Sequence, residues 1–334
     1  MNSRKYDGLL YGNGLSILLL SQLKQTALQK HSYEFSFLDF VRQFAEGAIS
    51  EREKRELSKL FDSLFNSRGV RNSYEDYRQF ISGIIEKDGV DFEQILGRDI
   101  ISDDKDNKTR AAVLHSVYPI MYNYWGNNTV GLINSVFKKD YLLSFCKSVK
   151  SILTENPYIF TTNFDAFTNH LKPRHLHGRF VDPLTCEKDL VYKFFGNNGD
   201  YYFKFIWGHN GVGKFNLIRS IHDSYGDYDK VFDWDFFYDD QITMDNLLVY
   251  GMGFKNTAYS LAISPYDEHA IHKGFVIDDH ILLRLNKLQD YGQLNCITFA
   301  YYSEKEKDRY EELSNMYELR DTSFISTNEF AFHI

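Results

Sequence analysis

The sequence predicts an α/β fold, a mostly parallel sheet carrying a large helical insertion, and three observations predict it. Short apolar runs end in glycine or polar turns, residues 35–153 show almost nothing but helical periodicity, and strand and helix patterns alternate again beyond Pro157. The boundaries that follow are residues 1–30 and 154–334 for the sheet-containing core and 31–153 for the insertion.

Leu9-Leu10-Tyr11 is a short buried-strand run that enters Gly12-Asn13-Gly14, and a helical pattern follows from about Leu15 to Lys30. Within the insertion Phe37, Phe40, Val41 and Phe44 recur at helix spacing, as do Leu57, Leu60, Phe61, Leu64 and Phe65. Polar breaks fall at Ser67-Arg68-Gly69, at Lys87-Asp88-Gly89 and at residues 102–108, the last read as an exposed, mobile loop. Tyr158-Ile159-Phe160-Thr161 reads as a buried strand, and Leu190 to Phe195 with Tyr201 to Trp207 as an antiparallel hairpin around Gly196 to Asp200. Leu247 to Tyr250 enters Gly251-Met252-Gly253, Asp279 to Leu288 is helical, Leu294 to Tyr301 is strand-like, and a charged helix begins near Ser303.

Composition narrows the function classes. With 43% hydrophobic residues in 334, the chain is long and apolar enough for a substantial core, and 28 Phe and 24 Tyr make rings its main building material. A net charge of −8, with acidic residues spread along the chain, argues against a groove that tracks phosphates, so no direct nucleic-acid partner is expected. Cys146, Cys186 and Cys296 lie far apart, which argues against a zinc site or a disulfide framework and fits a reducing cytoplasm. The apolar run Leu15 to Leu20 is too short to span a bilayer, so no membrane association is expected.

Two glycines where a strand passes into a helix let phosphate oxygens approach free amides, although the third glycine of the dinucleotide fingerprint is replaced by Ile17 and an ordinary turn has the same look. Asn163 and Asp165 follow a buried strand, where ligands of open parallel sheets bind; the same pair would also cap a helix beginning near Ala166. His177 brings an imidazole that titrates near neutrality, or else a buried ring bonded to a carbonyl, and His175 is read as facing the opposite side of its strand. Gly208 to Phe215 nearly spells a P-loop, but Phe215 stands where magnesium needs a hydroxyl, which ranks nucleotide hydrolysis last. Asp278-Asp279-His280 and Asp267-Glu268-His269 with His272 suit helix caps better than metal ligands, and no metal is assigned.

In order along the chain, Leu10 to Ser16, Phe160 to Asp165, His177-Gly178, Val249 to Phe254 and Asp279-His280-Ile281 form a set that resembles the sirtuin-like NAD hydrolase domains of bacterial anti-phage defence, including AbiH-related proteins. Each motif is weak by itself and the ordered set is moderately specific. The resemblance implies a Rossmann-like sheet, NAD as substrate, and cleavage to nicotinamide and ADP-ribose that depletes NAD during abortive infection. It makes Asn163 and His177 the catalytic pair and Asp165 the ribose-side carboxylate, with Gly12, Asn13, Gly14 and Ser16 as the phosphate turn. Thr162, Gly251, Gly253, Asp279 and His280 lie in the other matched segments and are the further candidate NAD contacts. Sirtuin deacylases carry a four-cysteine zinc module and an Arg-containing loop after the first glycines; this chain has neither, which disfavours removal of acyl groups from lysine. Inserts in related systems make oligomer contacts or bind a partner ATPase, so a homo-oligomer and a partner ATPase or phage-derived trigger are the expected associations. The alternative is a non-catalytic sensor whose pocket binds NAD or an ADP-ribose-type nucleotide and controls assembly.

Overall fold

A computed structural model describes residues 5–26, 37–66, 73–89, 95, 104–136, 140–163, 167–176, 241–254, 279–330 and 332. Six strands form one sheet: β1 (Tyr6–Tyr11), β2 (Leu153–Thr161), β3 (Arg174–His175), β4 (Met244–Tyr250), β5 (Leu294–Tyr301) and β6 (Thr322–Ser326). Their order is β3-β2-β1-β4-β5-β6 and every pairing is parallel. The chain is therefore an α/β protein with a Rossmann-like sheet. That strand order belongs to doubly wound dinucleotide-binding folds, in which connections run one way from the first strand and the other way from the fourth.

Register explains the apolar runs. Phe160, Leu10, Val249, Phe299 and Phe324 occupy one row across five strands; the first four pack with Ile281, Leu282, Leu285, Tyr310 and Leu313 in a single buried cluster, and half-buried Phe324 packs against it. Consecutive residues Leu9, Leu10 and Tyr11 are all at most 1% exposed, as they must be in a strand covered on both faces. β2 begins five residues before the predicted Tyr158, and the pairing shifts between Tyr6 and Gly8, opposite Asn156-Pro157, where proline has no N–H for the ladder.

Eight helices of the described residues are α1 (Asn13–Thr26), α2 (Phe37–Glu46), α3 (Glu51–Asn66), α4 (Tyr74–Asp88), α5 (Lys105–Val136), α6 (Tyr141–Lys150), α7 (Asp279–Asp290) and α8 (Glu304–Met316). The chain divides into two compact units. One holds the described residues up to 26 and from 133 onward; the other holds the described residues from 37 to 132. In the second unit Phe44, Phe61 and Tyr77 make a buried ring chain, with centroids 6.2 Å apart for Phe44 and Phe61 and 4.9 Å for Phe61 and Tyr77. Ser73 caps α4 by accepting from the Asp76 amide while Asp76 takes the Ser73 amide, and Gly89 ends it at φ 83°.

Two expectations are corrected here. The loop expected at residues 102–108 is, from Lys105, the first turn of α5, where Asp106 suits the positive end of the helix. α6, placed by the sequence boundaries in the insertion, packs against β2 and belongs to the sheet-containing unit. The hairpin expected at residues 190–207, the segment Gly208 to Phe215 and the Asp267 to His272 cluster lie outside the described residues.

Candidate functional site

β1 and β4 are neighbours in register, Tyr11 opposite Tyr250, so their two glycine segments leave the sheet side by side at the point where the connectivity reverses. Ligands of open α/β sheets sit beyond the carboxyl ends of the strands at this point. The two segments touch through their backbones. The Gly12 amide donates to the Tyr250 carbonyl at 3.0 Å and the Gly14 amide to the Gly251 carbonyl at 3.1 Å. A Cβ on Gly14 would lie 2.5 Å from the Gly251 Cα, one on Gly12 would lie 2.7 Å from the Gly251 oxygen, and Gly251 itself has φ +63°. These glycines are thus required by loop-to-loop contact and, at Gly251, by left-handed backbone. The Gly12 and Gly14 amides, expected to face a pyrophosphate, are already engaged. The first turn of α1 carries no acidic residue, and Asn13 and Gly253 are exposed beside the contact.

Asn163 sits two residues past the end of β2 and is 2% exposed. Its amide nitrogen Nδ2 donates to Ser16 Oγ at 3.0 Å, reaching across to the first turn of α1, where Ser16 is also buried. The backbone N–H of Asn163 donates to Thr161 Oγ1 at 3.0 Å, and the Thr161 hydroxyl donates to the Tyr11 carbonyl at 3.1 Å. His175 Nδ1 lies 3.0 Å from the Asn163 carbonyl oxygen. Asn163 Oδ1 is buried and has no hydrogen-bond partner among the described residues. Leaving such an acceptor unpaired costs about 1–3 kcal/mol.

The described residues after Asn163 form a turn and a 3-10 helix, Asn169–Leu171, and the Asn163 side chain is directed to Ser16 of α1. Thr162 Oγ1 donates to the Met252 sulfur at 3.6 Å, tying the end of β2 to the segment after β4. Met252 is held in turn from α8: the Tyr310 hydroxyl donates to its carbonyl at 2.7 Å, and burial pushes the Tyr310 phenol well above its ordinary value. Asp165 and His177 lie outside the described residues; Asp279 and His280 begin α7, and only their backbone is described. The structure thus brings together Gly12, Asn13, Gly14, Ser16, Thr162, Asn163, Gly251 and Gly253 at one edge of the sheet.

His175 corrects the reading that set it aside. Residues two apart on a strand share a face, so His175 cannot be dismissed by contrast with His177, and its ring is bonded to the residue predicted to be catalytic. Among the described residues no group of three His, Cys, Asp or Glu side chains is placed to hold a metal ion. Comparison with protein-family models, with curated proteins and with solved structures finds no match to this chain.

Proposed function

We propose that the chain binds NAD beyond the carboxyl ends of β1, β2 and β4 and hydrolyses the bond between nicotinamide and ribose. The observation that carries this reading is the unpaired, buried Oδ1 of Asn163 at the reversal point of a β3-β2-β1-β4-β5-β6 sheet. An orphan acceptor there calls for a ligand with a hydroxyl or carboxamide hydrogen, and the nicotinamide riboside half of NAD has both.

As the glycosidic C–N bond breaks, its electron pair leaves with nicotinamide and the ribose takes on oxocarbenium character. The negative end of the Asn163 amide dipole, already fixed by Ser16, accepts a ribose hydroxyl and lowers the energy of the cationic sugar. Water then adds to the anomeric carbon and gives up a proton, so NAD⁺ and water yield nicotinamide, ADP-ribose and H⁺. Of the residues that the resemblance singles out, His177 is given the part of accepting a proton from the water or a ribose hydroxyl, and Asp165 that of supporting the ribose electrostatically. Consumption of the NAD pool is the biological outcome of this reading, with assembly with further copies, a partner ATPase or a phage-derived trigger as its control.

Chromatographic detection of nicotinamide from purified chain and NAD, with calorimetric titration in parallel, tests it. Release of nicotinamide that scales with enzyme supports the reading. Tight binding without release assigns a non-catalytic nucleotide sensor, and absence of both removes NAD as the ligand.

A further inference from the structure

Asn163 has four polar groups, its backbone N–H and C=O and the two ends of its side-chain amide, and three of them are held by side chains from three different elements. Thr161 of β2 takes the N–H, Ser16 of α1 takes Nδ2, and His175 of β3 meets the C=O. Thr161 and His175 are partners in the parallel register of β2 and β3, so one rung of the sheet grips both ends of the Asn163 backbone unit. A carbonyl oxygen only accepts, which fixes the proton on His175 Nδ1 and makes that nitrogen the donor.

We propose that His175 is a positioning residue: by donating Nδ1–H to the Asn163 carbonyl it sets the direction in which Asn163 Oδ1 meets the bound sugar. This rests on the reading of Asn163 as part of the NAD site. A grip by Thr161 on the N–H alone would leave rotation about the Asn163 N–Cα bond, which carries both the carbonyl and the side chain, and holding the carbonyl from His175 stops the turn that would swing the side chain off Ser16. The donor is required, and the ring is not; asparagine places an amide N–H near the position of Nδ1, whereas leucine fills the space without a donor.

The experiment compares wild type, His175→Asn and His175→Leu in the full chain. Initial rates of nicotinamide release are measured against NAD concentration, and the Asn163 side-chain amide is followed by NMR after selective ¹⁵N-asparagine labelling, with Asn163→Ala assigning the signal. Loss of a residue that orients a site group costs about 10- to 100-fold. His175→Leu is expected to lower kcat by that factor with KM within about threefold, and to move or broaden the Asn163 Nδ2 signal; His175→Asn is expected to restore both. Equal losses in the two variants, or an unmoved Asn163 signal in His175→Leu, overturn the proposal. If the wild type itself releases no nicotinamide, the NADase reading falls, and the amide signal alone then decides whether His175 orients Asn163. A variant that fails to fold is recognised by its melting curve, and His175→Gln, with its longer reach, replaces His175→Leu as the mispositioned donor: an Asn163 signal unmoved in it equally overturns the proposal.

Discussion

At the amino edge of the sheet a single carboxylate oxygen of Asp7 takes the amides of both Asp245 and Asn246 at 3.1 Å, whereas at the carboxyl edge Asn163 is buried with an amide oxygen that nothing described satisfies. The amino edge continues in the same manner. Asn295 donates to Asp245 at 2.8 Å, Asn286 donates to the Glu318 carbonyl at 3.1 Å, and Gln289 both donates to the Arg320 carbonyl and accepts the Arg320 amide, as a strand neighbour would. Gly292 and Glu318 end α7 and α8 in left-handed backbone, where the next residues bond back to the last helical carbonyls, and Asp321, also at positive φ, precedes β6. At the opposite edge the backbone is forced into close contact at Gly14 and Gly251 and an acceptor goes unpaired. Among the described residues one edge is closed by such pairings and the other leaves an acceptor unpaired, and under the function proposed above that acceptor is where the ligand donates a hydrogen.

The sharpest break of this comparison is Asn163→Ala. Loss of a group acting on the reacting sugar lowers turnover by about 10²- to 10⁴-fold. Stability should change little, because removing the orphan Oδ1 relieves a desolvation cost while the bond to Ser16, about 1 kcal/mol, is given up. A folded Asn163→Ala protein with wild-type nicotinamide release would move the site away from β2. Next in size is Gly251→Ala. Its φ of +63° costs about 1–2 kcal/mol for a residue with a Cβ, and pushing that Cβ to 2.5 Å from the Gly14 Cα adds about 1–3 kcal/mol of overpacking. Thermal unfolding should show a fall of several degrees, and an unchanged melting temperature would mean that the two glycine segments are not in contact.

The elements that were legible in the sequence are those whose burial is continuous. Leu9 to Tyr11, Leu247 to Tyr250 and, within the strand-like Leu294 to Tyr301, Ile297 to Ala300 are buried without a break because they lie inside the sheet with both faces covered. β3 has only two residues, and β6 is half-buried at every position, Thr322-Ser323-Phe324-Ile325-Ser326, so neither edge strand carries a pattern long or apolar enough to read. At the candidate site, the glycine turns and Asn163 were visible because strand ends announce themselves locally. The contact of Gly14 with Gly251, and the bonds of Asn163 to Ser16 and His175, join positions distant in the chain or on separate strands and have no local signature. The chemistry expected of the glycine amides therefore could be written down from sequence, and their commitment to each other could not.

A third variant sharpens the contrast from the amino edge. Gln289→Leu keeps the volume of a nearly buried side chain and removes both of its bonds to Arg320, leaving a part-buried backbone N–H and C=O to find water. The expected loss is about 1–3 kcal/mol of stability, read as a shift in the urea midpoint. Turnover by the folded fraction should match wild type. A Gln289→Leu protein that folds normally but has lost nicotinamide release would erase the division of labour between the two edges.

The smallest effect at neutral pH, and the most specific to the carboxyl edge, concerns the phenols behind it. Burial pushes the Tyr250 phenol up to about 12, with the Glu306 charge acting in the same direction. Tyr310 is pushed up further, first by burial, then by the Glu306 charge and the hydrogen bond to Glu306 at 3.0 Å. An acid whose folded value is raised favours the folded state while its phenol is protonated; unfolded tyrosine ionises near 10, so this stability is complete below about pH 10 and is lost as the pH climbs towards 12. Tyr310→Phe removes the bond to the Met252 carbonyl, which costs about 1 kcal/mol at pH 7, and should also flatten the decline in stability between pH 10 and 11. Urea midpoints measured across that interval, with absorbance at the phenolate band as the titration readout, decide it. If wild type and Tyr310→Phe decline in parallel, α8 does not hold the segment after β4 in place, and the support assigned here to the carboxyl edge must come from another element.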